Sequence, residues 1–259
     1  MTKHAGIRRQ TILATTPART HSGAIRVRPA KTSQRLDSIN NKKLACVFGA
    51  RRTGTNYLES LLETNFGAEL CVANLNRKNT RPLAHRPHLF EAVGSKHAMD
   101  DRPFQEKFGS GQLNIFIVRH PHSWTGARIR YALKYLGLGS GQITEATVGK
   151  WIAQEYVSFY SGVAERLHDI PNTVVVRYED LLDDYASALG RLAAEIGLSE
   201  RTLTNVTTRI GPAGGQGGGA FDIAPPSEAF EACIQNALND RLPNGLMQFF
   251  YSANATLAG

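Results

Sequence analysis

The stretch "VFGARRTGTNYLESLL", residues Val47–Leu62, decides how the fold is interpreted. It begins as an apolar run, breaks at Gly49, passes two arginines and Gly54, and then continues with the apolar spacing of a helix. This order predicts a buried strand, a tight turn and a helix that starts near Thr55. The first N–H groups of a helix lack partners within the helix and favour an anion, so the turn is a candidate anion-binding site.

The two glycines of this turn have the spacing of the phosphate loop of nucleoside triphosphatases, GxxxxGK followed by serine or threonine. Thr55 stands where that motif has its lysine, and Asn56 stands where it has the hydroxyl that binds magnesium. A triphosphatase is therefore disfavoured. The loop can still bind a phosphate through its N–H groups, with Arg52 or Arg51 supplying positive charge. The alternative is an ordinary strand-to-helix turn.

Apolar runs rich in β-branched residues alternate with helical patterns along the chain. Strands are expected at residues 44–48, 68–73, 91–96, 114–118 and 173–178. Helices are expected at residues 56–63, 124–135, 148–167, 181–196 and 226–238. The alternation predicts a P-loop-like, three-layer α/β fold, with a central, mostly parallel sheet and helices on both faces. Ligands of such folds bind beyond the carboxyl ends of the strands, which points to residues 49–55, 96–97, 119–123 and 178–180.

Positive charge is concentrated at the start of the chain. The first 43 residues carry ten basic residues and one acidic residue, whereas the whole chain has a net charge of +8. They are also poor in large apolar residues, so we expect a basic, disordered arm at 1–43 and a single domain at 44–259. Since the domain is close to neutral, no nucleic-acid-binding surface is expected. The arm itself is a solvated tail, an organelle transit peptide or a segment that binds an anionic polymer or membrane.

The sequence also bears on compartment and metal binding. No apolar run approaches the ~18 residues that span a bilayer, and no signal-peptide core is recognisable. Cys46, Cys71 and Cys233 are far apart among apolar neighbours, which predicts neither a disulfide framework nor a metal site. His120 and His122 have no carboxylate or cysteine at a supporting spacing, so no metal is expected. These features predict a soluble, cytoplasmic protein, and they leave its oligomeric state open.

Three motifs, in the order of the chain, carry a resemblance to a known family. "RTGTNY" at 52–57 follows a predicted strand, while "IFIVRHPHSW" at 115–124 and "VVVRYEDL" at 174–181 each run from a strand into a helix. They resemble the 5′-phosphosulfate loop, the 3′-phosphate segment and a later strand-to-helix junction of the sulfotransferases that use 3′-phosphoadenosine 5′-phosphosulfate (PAPS). The resemblance covers roughly residues 44–250.

The resemblance implies a set of residues that bind PAPS. Arg52 and the loop would hold the 5′-phosphosulfate, Arg119 the 3′-phosphate, and Tyr178 would lie against the adenine. The implied contacts are Arg52, Thr53, Gly54, Thr55, Asn56, Tyr57, Arg119, Ser123, Tyr178 and Arg209. The family's serine eight residues after its arginine is replaced by Ala127, for which Ser123, Arg128 or Arg130 could substitute. The family's C-terminal Arg-Lys-Gly loop has no clean match, so the glycine run after Arg209, at 211–220, is either a lid or a linker.

The resemblance also places the catalytic groups. Many members have a histidine after the strand that precedes the 3′-phosphate strand, and "GSKHAMDD" at 94–101 puts His97 there. Histidine suits a catalytic base because its unperturbed pKa of ~6.5 lets it accept a hydroxyl proton near neutrality. Lys96 beside it either stabilises charge on the transferring group together with Arg52, or is only solvated. Asp180 is interpreted more simply, as the N-cap of a helix.

The sequence thus predicts an enzyme that transfers a sulfuryl group from PAPS to a hydroxyl or amine of an acceptor, such as a saccharide, a lipid or a small molecule. Two alternatives stay open: a nucleotide-dependent kinase with an altered phosphate loop, and a non-catalytic nucleotide-binding protein of the same fold.

Overall fold

A computed structural model describes residues 42–73, 93–206 and 228–252 of the chain. Its strands are β1 Lys43–Phe48, β2 Leu70–Ala73, β3 Gln112–Val118 and β4 Thr173–Arg177. Its α-helices are α1 Thr55–Phe66, α2 Phe104–Lys107, α3 Pro121–Tyr135, α4 Glu145–Trp151, α5 Ser158–Arg166, α6 Tyr178–Asp183, α7 Tyr185–Glu195, α8 Glu231–Arg241 and α9 Leu246–Tyr251. No helix in the described ranges is long and apolar enough to cross a membrane.

The described strands form one parallel sheet in the order β2-β1-β3-β4. β1 lies between β2 and β3, with Cys46 opposite Ala73 on one side and Asn114 on the other. The carboxyl ends of all these strands therefore point to the same edge of the sheet, where the sequence places the candidate site.

Side chains of β1 alternate between two cores, which shows the three layers directly. Leu44, Cys46 and Phe48 belong to a core formed with α3, α4, α5, α8 and α9. Ala45 and Val47 belong to a second core formed with α1 and α7. A strand that is apolar at every position can be buried on both faces, as the run before Gly49 predicted. The predicted fold class, a parallel sheet with helices on both faces, is confirmed.

The strand predicted at 91–96 is wrong in its described part, residues 93–96, which form no strand. Gly94 has a φ of 77°, which interrupts an extended chain. The backbone groups that a ladder would use are taken by side chains: Lys107 Nζ donates to the carbonyls of Val93 and Ser95 at 3.1 and 2.7 Å, and Asp101 accepts from Ser95 N at 2.6 Å. The segment still reaches the sheet edge, since Gly49 N donates to the Lys96 carbonyl at 3.0 Å.

Two helix predictions are also corrected. Asp180 is not an N-cap, because α6 begins at Tyr178; the residue that caps a helix is Asp184, which accepts from Ser187 N at 3.0 Å at the start of α7. The helix predicted at 148–167 is α4 and α5 joined by a π-helix, Ile152–Val157.

Other predictions fall outside the described residues. These are most of the basic arm, the contact by Arg209 and the lid at 211–220.

Candidate functional site

The turn after β1 leaves no room for side chains at its start. A Cβ atom at Gly49 would lie 2.6 Å from Thr53 Oγ1 and 2.9 Å from the carbonyl oxygen of Ile117. The Thr53 hydroxyl donates to the Ala50 carbonyl at 2.7 Å, which closes the turn. No side chain caps the helix that follows. The first N–H groups of α1 therefore lie where the sequence predicted an anion-binding turn.

Arg52 has a backbone conformation that is rare for its residue type. Its φ is 73°, in the left-handed region that favours glycine. Its guanidinium carbon lies 3.4 Å from the ring centroid of Tyr131, so the side chain stacks on α3. Strained backbone of this kind is concentrated at functional sites.

Tyr178 joins the loop to the end of β3. A Cβ atom at Gly54, whose φ is 94°, would lie 2.3 Å from the Tyr178 ring, so the ring packs directly on the loop backbone. The guanidinium carbon of Arg119 lies 4.4 Å from the centroid of the same ring, and Arg119 Nη1 donates to the Arg52 carbonyl at 3.3 Å. The three motifs, far apart in sequence, therefore meet at one place.

Arg119 is buried and incompletely paired. The residue is 4% exposed, and its Nε donates to Ser123 Oγ at 3.0 Å. Its Nη2 is buried and has no hydrogen-bond partner among the described residues. A buried cationic donor without an acceptor is costly, so this atom fits an anionic ligand such as a phosphate. Of the candidates to replace the serine missing at Ala127, Ser123 contacts Arg119 directly.

Glu179 binds the residues that follow Arg119, and the sequence analysis did not predict it as a site residue. One carboxylate oxygen accepts from His120 N and from Ser123 Oγ, both at 3.0 Å, and the other accepts from the Tyr251 hydroxyl at 2.7 Å. The sequence does indicate a site position for Glu179, because the residue follows Tyr178 at the end of a predicted strand. The contact from Tyr251 depends on where α9 packs, which no local pattern indicates.

His97 lies beside the start of the loop as a neutral ring. Its Nδ1 is 2.6 Å from the Gly49 carbonyl, which can only accept, so Nδ1 carries the proton and Nε2 is left as a proton acceptor. Burial lowers the pKa of His97 to about 3, assisted by the positive charges of Lys96, Arg51 and Arg52 and opposed by the bond to Gly49. At neutral pH the ring is therefore in the form that a catalytic base requires.

Lys96 is buried, which excludes the interpretation of a solvated lysine. Its Nζ donates to Asn56 Oδ1 at 2.7 Å and to Glu59 Oε1 at 2.8 Å. The two charged side chains are each 1% exposed. The charge of Lys96 thus lies under the first turn of α1, next to the phosphosulfate loop that the resemblance implies.

The other predicted contacts lie in or near the same turn. Tyr57 is buried, its hydroxyl donates to Asn205 Oδ1 at 2.9 Å, and its ring meets that of Tyr178 edge-on at 6.3 Å. Thr55 is buried at the start of α1. Across the ranges that the structure describes, no group of three or more histidine, cysteine, aspartate or glutamate side chains could hold a metal ion.

The environment of His97 predicts a pH dependence of stability. Because the pKa is about 3 in the folded protein and ~6.5 in an unfolded chain, the unfolded state alone binds this proton between those values. The free energy of unfolding should therefore fall as pH drops below 6.5. Between pH 7.5 and pH 4.5 the free energy of unfolding of His97→Gln should rise by about 2.7 kcal/mol relative to that of the wild type, as measured by urea unfolding at several pH values. Parallel curves for the two proteins would contradict the assigned environment.

Comparison with known proteins gives matches only among solved structures; no family model and no curated protein matches the sequence. The chain is similar to mouse sulfotransferase SULT7A1 complexed with PAP, with a TM-score of 0.46 and 16% identity, over 67% of this chain and 66% of that one, just under two thirds. It is also similar to a sulfotransferase from Alicyclobacillus acidocaldarius, with a TM-score of 0.38 and 15% identity, over 77% of this chain and 95% of that one. Both of these solved structures are sulfotransferases.

Proposed function

We propose that this chain transfers a sulfuryl group from PAPS to a hydroxyl or amine of an acceptor, which is a saccharide, a lipid or a small molecule. The observation that carries the proposal is the guanidinium of Arg119. It lies over the Tyr178 ring, donates to the Arg52 carbonyl, and keeps one buried nitrogen without a partner among the described residues. A nucleotide with phosphates on both the 3′ and the 5′ position of its ribose would bind this nitrogen with the first phosphate and the loop with the second.

Each end of the co-substrate has candidate ligands. Arg119 and Ser123 would hold the 3′-phosphate, because a planar guanidinium matches two phosphate oxygens. Arg52 and the N–H groups at the start of α1 would hold the 5′-phosphosulfate. Tyr178 would contact the adenine.

The residues around the loop suit an in-line transfer. When bound, PAPS supplies an activated sulfuryl group. His97 would accept the proton of the acceptor hydroxyl at Nε2, since its other ring nitrogen is bonded to Gly49. Arg52 and the loop N–H groups would stabilise the charge that develops, and orientation would supply much of the acceleration. A sulfuryl group carries less negative charge than a phosphoryl group, so such donors can replace a magnesium clamp.

Binding of PAP, 3′-phosphoadenosine 5′-phosphate, tests the proposal. We expect the wild-type protein to bind PAP in isothermal titration calorimetry without added metal. Arg119→Ala should raise the Kd about 10- to 100-fold, the value of a charge-assisted hydrogen bond. Arg191→Ala removes an exposed arginine that pairs with Asp180 at 3.4 Å, and should leave the Kd unchanged. Failure of folded wild-type protein to bind PAP would overturn the proposal, and magnesium-dependent binding of ATP instead would select the kinase alternative.

A further inference from the structure

A buried tyrosine from another part of the chain fixes the backbone of Arg119. Arg119 lies between the end of β3 at Val118 and the start of α3 at Pro121, so its carbonyl belongs to neither element. The hydroxyl of Tyr156, which is completely buried, donates to this carbonyl at 2.6 Å. Its other neighbour, Met247 Sδ at 3.5 Å, is a much weaker acceptor. Burial raises the pKa of Tyr156 well above its usual range, so the hydroxyl keeps its proton and stays a donor.

Tyr156 is the middle member of a row of buried aromatic side chains. Its ring centroid lies 5.0 Å from that of Trp124 and 4.7 Å from that of Tyr160. The outer two also donate to backbone carbonyls at this edge of the sheet. Trp124 Nε1 bonds Arg51 at 2.5 Å, and the Tyr160 hydroxyl bonds Ile117 at 2.7 Å. Because the Tyr156 ring is packed between two anchored rings, its hydroxyl has little freedom to move.

The segment that carries Tyr156 is the π-helix Ile152–Val157. π-helices are rare and occur frequently at functional sites. The residue before Tyr156 in this segment, Glu155, pairs with Arg128 of α3 through two bonds, Nε to Oε2 at 3.1 Å and Nη2 to Oε1 at 2.8 Å. This ion pair fixes the π-helix against α3, which keeps Tyr156 opposite the carbonyl of Arg119.

The direction of the Arg119 side chain depends on where its backbone lies. Its Nη2 is the buried nitrogen without a partner among the described residues, and the proposed function assigns it to the 3′-phosphate. Without the Tyr156 hydroxyl, the Arg119 carbonyl would lose this donor and the backbone would relax towards another partner. A 3′-phosphate would then bind only the fraction of molecules in which Arg119 is correctly placed, which raises the apparent Kd.

We propose that Tyr156 is a positioning residue for the 3′-phosphate: its hydroxyl fixes the Arg119 backbone, so that the guanidinium is in place before the nucleotide binds. The inference rests on the proposed function and deepens it. It assigns part of the preference for a nucleotide with a 3′-phosphate to a residue that does not touch the nucleotide.

Two nucleotides that differ only in the 3′-phosphate test the proposal. PAP carries this phosphate and adenosine 5′-phosphate lacks it, so the ratio of their Kd values reports the contact with the 3′-phosphate alone. Tyr156→Phe removes the hydroxyl and keeps the ring. In isothermal titration calorimetry, we expect this variant to bind PAP about 3- to 10-fold more weakly than the wild type, the value of one hydrogen bond. Its Kd for adenosine 5′-phosphate should stay within about twofold of wild type.

Tyr160→Phe is the matched control. The Tyr160 hydroxyl is equally buried and donates to the carbonyl of Ile117, two positions before Arg119. Both variants should therefore lose a similar free energy of unfolding in urea. Any change that Tyr160→Phe causes in the loop acts on the 5′ end, which both nucleotides share, so the Kd ratio should stay within about twofold of wild type. An equal fall of the ratio in Tyr156→Phe and Tyr160→Phe would overturn the proposal.

A double variant shows whether Tyr156 acts through Arg119. With Arg119→Ala in place, Tyr156→Phe should change the Kd of PAP less than about twofold, because the guanidinium that it positions is absent. Additive effects would make Tyr156 a general support of the fold and overturn the inference. An unchanged Kd ratio in Tyr156→Phe, in a protein whose PAP affinity falls with Arg119→Ala, would overturn the inference while the proposed function stands. A folded wild-type protein that does not bind PAP would overturn both.

Discussion

Replacing His97 by glutamine is expected to lower the kcat of sulfuryl transfer by about 10²- to 10⁴-fold, the usual contribution of a general base. The Gly49 carbonyl now accepts from the ring at 2.6 Å, and a glutamine amide can still donate to it. The amide has no atom that takes a proton from a hydroxyl near neutral pH. Because the proposed contact of the His97 ring is with the acceptor hydroxyl and not with the nucleotide, the Kd for PAP should change less than about threefold.

The measurement needs an acceptor, which a screen of labelled PAPS against glycans, lipids and phenols would supply. His168→Gln is the matched control, since that side chain is 76% exposed and precedes β4, at the opposite end of the strand from the site. With PAPS varied, kcat/KM of the wild type should show no acid limb from His97 above pH 5, because its pKa of about 3 keeps the ring neutral there. Unchanged kcat in His97→Gln would transfer the role of base to another group.

The sequence predicts the local parts of the site well. The run from Val47 to Leu62 contains its own strand, turn and helix signals, and the structure has β1 and α1 there. Arg119 and Tyr178 each follow a strand rich in β-branched residues, so a parallel sheet brings them to one edge with the loop. These inferences need only apolar runs, glycines and the rule that parallel strands end together.

Contacts that depend on packing were not predictable in the same way. Lys96 and Glu59 are 37 positions apart, and each looks like an ordinary charged residue in its own segment. The strand expected at 91–96 fails because the side chains of Lys107 and Asp101 satisfy the backbone of residues 93–95. A sequence pattern records which residues are apolar, but not which distant side chain will take a backbone hydrogen bond.

The positive φ of Arg52 allows its side chain to be tested apart from its backbone. Arg52→Gly is expected to lower kcat by about 10²- to 10³-fold, since the proposed function assigns the Arg52 guanidinium to the charge that develops in the transfer. The same change should leave the free energy of unfolding within about 1 kcal/mol of wild type. Glycine adopts a φ of 73° without the cost that arginine bears, about 1 kcal/mol, and this offsets the lost stacking on Tyr131, about 0.5–1 kcal/mol.

Arg51→Ala is the matched control for Arg52→Gly. Arg51 is exposed one position earlier in the same loop, and its known contact is made by its backbone carbonyl, which accepts from Trp124 Nε1 at 2.5 Å and survives the substitution. Both variants remove one positive charge from the loop, so a general electrostatic effect would lower their kcat values equally. A role specific to Arg52 requires that Arg51→Ala keeps kcat within about threefold while Arg52→Gly loses it. Equal losses of kcat in the two variants would contradict a specific role of Arg52 in the transfer. A loss of kcat in Arg52→Gly that is accompanied by a matching fall in its free energy of unfolding in urea would show that Arg52 stabilises the fold of the loop instead.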